Sequence, residues 1–174
     1  LMYEITGNGL KKPSYLFGTM HLICPTDMIA KEKFDKYIDQ TERIIMEIDL
    51  DDQAEMQAAA KLAYLPEGKT LADVFTPEKY AKVSELVKDS LGFPVENVKT
   101  IHPMFLAVLI GTSPRFIGCN PPGSYERSFM QTAATRKMTI EGLETVAMQG
   151  ETINSIPFEK HAEGLYKLVL EPQK

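Results

Sequence analysis

The chain has 174 residues, of which 44% are hydrophobic and 25% charged, with a formal net charge of −5 and no tryptophan. That length suffices for a globular domain with a real core, and the acidic balance without a dense basic stripe argues against a nucleic-acid partner. No apolar run approaches the roughly 18 to 20 residues of a membrane span; the nearest, Met104 to Ile110, suits a buried helix.

Met2 to Ile5 and Ser14 to Thr19 read as two strands of a hairpin joined by turn residues around Gly7-Asn8-Gly9. Tyr15, Leu16 and Phe17 read as buried, and the run ends in Gly18-Thr19-Met20-His21, which delivers an imidazole at a strand's carboxyl end. In open α/β sheets that edge faces the crevice where ligands collect. A histidine that merely bonds a neighbouring loop is the plain alternative.

Thr26 or Asp27 is expected to cap a helix reaching about Thr41, with Ile29, Phe34, Tyr37 and Ile38 on one apolar face. The β-rich run Arg43 to Asp49 follows, with Glu47 and Asp49 on one side by period-two alternation. A strand, helix and strand in that order imply a parallel crossover.

Residues 52 to 98 read as helical, with Thr76-Pro77-Glu78 opening a helix that stops at Gly92. Helical character continues to Gly111, so the span from about 52 to 111 reads as a helical insertion. His102 precedes Pro103 and is expected to be a cap or loop residue. Thr112 to Gly123, rich in proline and glycine, reads as an open loop and one of the least tightly packed parts of the chain. Ser124 is placed to cap a helix to Lys137, which feeds a third run, Met138 to Glu144. Thr145 to Ile153 and Pro157 to Leu170 finish as helices; His161 reads as a solvated surface residue, and the end beyond Glu163 as loosely packed.

If the runs ending at His21, Glu47 and Glu144 lie side by side, one nitrogen and two oxygen donors reach one sheet edge. That set suits a divalent metal, or a general acid/base group without one. Each acid also has the plainer role of capping the next helix. Cys24 and Cys119 form no zinc ribbon or redox motif, so a disulfide and two reduced thiols stay equally open.

Taken together, YLFGTMHL (Tyr15 to Leu22), IMEIDL (Ile45 to Leu50), Ser124-Tyr125-Glu126 and EGLETVAMQ (Glu141 to Gln149) resemble, in order and spacing, the TraB/GumN family that includes the Tiki metalloproteases. The resemblance implies an EreA/ChaN-like α/β fold with a central mixed, largely parallel sheet flanked by helices, within a single domain over 1–174. It implies metal-dependent, peptidase-like hydrolysis, with His21, Glu47 and Glu144 catalytic and metal-binding and a divalent cation as cofactor. Gly18, Thr19, Asp49, Tyr125 and Gln149 would support the site or the substrate. The partner would be a peptide or a small molecule, and two copies would associate where apolar surface is left uncovered.

The family's second Gly-X-X-His has no counterpart after Glu144, so the sequence reads as an N-terminal portion in which the cation would be absent or incompletely held. The alternative use of the same crevice is a non-catalytic module binding a peptide, a metal or haem. An extracytoplasmic location, with a signal or anchor removed, would suit a disulfide, though the sequence leaves the compartment open.

Overall fold

A computed structural model describes residues 2–30 and 32–170. In chain order it contains β1 (Met2–Ile5), β2 (Ser14–Phe17), α1 (Glu32–Ile38), β3 (Arg43–Met46), α2 (Gln53–Leu62), α3 (Pro77–Leu91), α4 (Pro103–Gly111), α5 (Pro114–Ile117), α6 (Tyr125–Arg136), β4 (Thr139–Gly142), α7 (Val146–Asn154) and α8 (Phe158–Leu170). No helix among the described residues is long and apolar enough to cross a membrane. The residues group into two compact units, 1–52 with 120–144, and 53–119 with 145–174.

The first unit holds all four strands found among the described residues. β1 and β2 form the expected antiparallel hairpin, with Met2 opposite Phe17 and Ile5 opposite Ser14. Gly7, Asn8 and Gly9 all have positive φ, the left-handed backbone that a tight reversal needs. β3 and β4 pair in parallel, Arg43 opposite Thr139 and Met46 opposite Gly142. Against them lies α6, which buries Met46, Ala133 and Ile140 in a small core.

The fold is mixed α/β, but the single central sheet expected from sequence gives way to two separate two-stranded sheets among the described residues. The strand leading to His21 therefore does not neighbour the strands leading to Glu47 and Glu144. The physical reason is the use of its faces. β2 already pairs with β1, and it joins the unit through aromatic side chains rather than through a second ladder. Tyr15 meets Tyr37 edge-on at 5.0 Å, and Phe17 meets Phe34 at 4.7 Å, Tyr125 at 5.1 Å and Phe129 at 5.8 Å. Leu16, on the opposite face, is 57% exposed, so this is an alternating strand and not a buried one.

The helix expected from Thr26 to Thr41 also starts late. Residues Pro25–Asp27 form a 3-10 turn, Met28 is extended, and the α-helix begins only at Glu32.

The second unit is helical. Thr76 caps α3 by accepting from Lys79 N–H, and the helix stops at Gly92 as expected, the glycine taking the left-handed conformation with φ 77°. Leu71, Val83, Val87, Leu106, Ile110 and Leu165 anchor its core, where α4 packs along α8. Parts of two segments expected to be loosely packed lie against this core. The segment from Thr112 contains α5, with Ser113 buried and Phe116 packed on the core; beyond Glu163, Leu165 is fully buried and Tyr166, Leu168 and Val169 pack beside it. Residues 171–174 lie outside the described set.

Glycine is required at one sheet position. A Cβ on Gly142 would stand 2.7 Å from the Asp49 nitrogen and 2.9 Å from the Glu144 carbonyl oxygen, both backbone atoms that cannot rotate away. Replacing it, Gly142→Ala, is expected to cost about 1–3 kcal/mol through forced backbone movement. Urea unfolding followed by circular dichroism measures this; an unchanged midpoint would show that the strand end can relax.

Candidate functional site

The site is best built from α6. Ser124 caps this helix, its hydroxyl accepting from Arg127 N–H at 3.2 Å. Just before it, Gly123 and Ile23 exchange backbone hydrogen bonds of 2.7 and 3.0 Å, which ties the segment carrying His21 to the start of the helix. The result is a cluster on the first turn of α6. Thr19 Oγ1 donates to Glu126 Oε1 at 2.6 Å, Ser124 Oγ donates to Glu126 Oε2 at 2.9 Å, and His21 Nδ1 lies 3.3 Å from Glu126 Oε1.

Glu126 is the organising residue. Burial by itself would raise its carboxyl pKa. Hydrogen bonds from the Thr19 hydroxyl, from its own backbone N–H and from Ser124, with His21 nearby, outweigh that and hold it below the usual carboxylate range. Near neutral pH Glu126 is a carboxylate, so a neutral His21 keeps its proton on Nδ1 to donate to it. Nε2 is then the ring nitrogen with a lone pair, on a side chain that is 78% exposed. An imidazole oriented by a carboxylate in this way can accept a proton from water or bind a cation through its other nitrogen.

Glu47 and Glu144 also come together, at the end of the parallel pair. Beyond the ladder, Leu143 N–H donates to Met46 O at 2.8 Å and Glu144 N–H donates to Glu47 O at 2.9 Å, so the two acidic residues are backbone neighbours, both exposed. Asp49 lies just past them and accepts from Asp51 N–H at 3.2 Å. Gly18 follows β2 directly. Tyr125 is buried in the aromatic cluster, and its hydroxyl accepts from Ile29 N–H at 2.8 Å. Gln149 is on α7, in the other unit. Neither cysteine is a free thiol.

The structure thus joins His21 to Thr19 and pairs Glu47 with Glu144 in one compact unit. The joining residue, Glu126, is one that sequence reasoning passed over. An acid at the second position of a capped helix is commonplace as a partner of the helix dipole, and its only distinguishing signal was its place in the Ser124-Tyr125-Glu126 block.

The sequence matches the TraB/PrgY/gumN family over residues 1–174, the whole chain. The chain belongs to that family. No curated protein and no solved structure matches it. Among the described residues of this family member, no group of three or more His, Cys, Asp or Glu side chains is disposed to hold a metal ion.

The charge of Glu126 has a measurable consequence. Because its folded-state pKa is lowered, its contribution to stability is complete above the unfolded value of about 4.3 and is lost as pH falls through the lower folded value. The unfolding midpoint of Glu126→Gln is expected to depend less on pH than that of the parent protein below about pH 4.3. Parallel acid limbs in urea titrations would show that Glu126 contributes nothing through its charge.

Proposed function

We propose that this TraB/PrgY/gumN family member is a peptidase-like hydrolase and that His21, oriented by Glu126, is its proton-handling group. The observation that supports this reading is the Thr19, Ser124 and His21 cluster around one charged carboxylate, beside an exposed imidazole. In the reaction, Nε2 takes a proton from water as the oxygen attacks the peptide carbonyl. Glu126 stabilises the imidazolium that forms. The same proton is then available for the departing amine. A positioned base of this kind contributes about 10²- to 10⁴-fold to the rate. Glu47 and Glu144, brought together at the end of the β3–β4 pair, are candidates to orient the water or a cationic group of the peptide.

Metal dependence, which the family resemblance implies, is a separable clause of the reading. Nε2 of His21 is the nitrogen that would take a divalent cation, with Glu47 or Glu144 as the oxygen donor. A bound cation would supply Lewis acidity and a lowered water pKa.

The test is cleavage of a quenched-fluorescent peptide library, run in chelator and then with added divalent cations. His21→Ala is expected to lose at least about 100-fold of the parent rate. Rescue by cations of a chelated parent would assign Nε2 to the metal, and equal rates in both conditions would assign it to the proton. A variant as active as the parent would remove His21 from the mechanism. A parent that binds peptides tightly and cleaves none would favour the binding module instead.

A further inference from the structure

The second unit buries a pair of histidines that the proposed site does not use. His102 is only 6% exposed and caps α4, its Nδ1 accepting from Met104 N–H at 3.2 Å. Its backbone N–H donates to Ala63 O at 2.9 Å, which fixes the residue in place. His161 lies on α8 and is half-buried, contrary to the solvated surface role expected from sequence. Its Nε2 is 3.1 Å from Ile153 O. The two imidazoles meet edge-on with centroids 4.8 Å apart, and the rings of Phe158 and Phe105 stand 5.0 and 6.1 Å from His102.

This geometry assigns the protons. Nδ1 of His102 accepts a backbone N–H, so a neutral ring carries its proton on Nε2. Nε2 of His161 faces a carbonyl oxygen, so it donates there. An added proton on His102 would have to go on Nδ1, where it would oppose the Met104 N–H and abolish the cap. An added proton on His161 would place a cation against the His102 ring, which also meets the rings of Phe158 and Phe105.

We propose that His102 and His161 form an acid-responsive latch between α4 and α8: neutral they hold the helices together, and proton uptake loosens that packing. Several charged groups on the helices around the pair have partners of their own. On α8, Lys160 pairs with Glu163; on α3, Lys79 lies over the Tyr166 ring; and Arg115 of α5 pairs with Asp89 of α3. Burial first, and then His161, pushes the His102 pKa below its usual value.

The sign follows from linkage. Above about pH 6.5, the unfolded histidine value, both states are neutral and stability is complete; below it the unfolded chain takes up a proton that the folded state refuses. Stability falls across the window from about pH 6.5 down to the lowered folded value. The folded-to-unfolded ratio drops by up to about tenfold per pH unit for each extra proton bound on unfolding.

The latch is independent of the hydrolase reading, and its test needs no substrate. Urea unfolding of the whole chain, followed by circular dichroism between pH 8 and pH 5, is compared for the parent, His102→Asn and the double variant with His161→Gln. Asn keeps an acceptor for the Met104 N–H and Gln keeps a donor for Ile153 O, but neither titrates. The parent's midpoint is expected to hold steady above pH 7 and fall below about pH 6.5, and the double variant's to stay level over the same range. Histidine ring proton shifts of the folded parent provide a second reading should a variant fail to fold: His102 is expected to titrate below the ordinary histidine value. A double variant as acid-sensitive as the parent, or a His102 resonance titrating at the ordinary value in the folded protein, would overturn the latch.

Discussion

The ring of Phe17 is the constraint on which the first unit depends. Its sheets have two strands each, too thin to bury much by layering, and the hairpin carrying β2 makes no ladder with β3 or β4. What attaches the hairpin is edge-on contact of Phe17 with Phe34, Tyr125 and Phe129. Such aromatic pairs contribute about 0.5–1.5 kcal/mol each beyond the area they bury. Phe17 sits four residues before His21, and Tyr125 immediately precedes Glu126. The contact that holds the hairpin to α6 thereby brings Thr19 and His21 to the Glu126 carboxylate.

The carboxylate then shows how burial and charge are balanced. A partly desolvated carboxyl tends toward the neutral form, which could no longer anchor a neutral imidazole in the same way. Three hydrogen bonds reverse that tendency, and two come from hydroxyls that the local backbone supplies: Thr19 in the turn after β2 and Ser124 at the helix cap. Ser124 does both jobs at once, accepting from Arg127 N–H and donating to Glu126. The chemistry of the site is therefore inseparable from the way α6 begins.

The second unit reaches its stability by a different route. Its core is made from helices whose ends are set by local signals, and the buried leucines and valines of α3, α4 and α8 do the packing. His102 is one of the buried polar residues of this unit, and its ring caps α4. A capping serine or asparagine would satisfy the same N–H. Histidine adds a ring that can take up a proton, beside a second imidazole.

Much of this was legible from sequence where the deciding physics is local. Thr76-Pro77 and Gly92 mark the ends of α3, Ser124 marks the start of α6, and Gly7-Asn8-Gly9 marks the hairpin, because caps and turns depend on a few adjacent residues. The parallel pairing of the runs before Glu47 and Glu144 also followed, since helical segments between them forbid a hairpin. Long-range choices did not follow. Whether β2 joins β3 and β4 is decided by which face and edge of the strand other elements occupy, and no periodicity in Tyr15-Leu16-Phe17 encodes it. The meeting of His21 with Glu126, 105 residues apart, and of His102 with His161 belongs to the same class. By itself the sequence determined the family and most of the element types, and it singled out His21, Glu47 and Glu144 but not Glu126. Only the tertiary structure decided which of them share a hydrogen bond, because a side chain's partners are set by packing between segments distant in the chain.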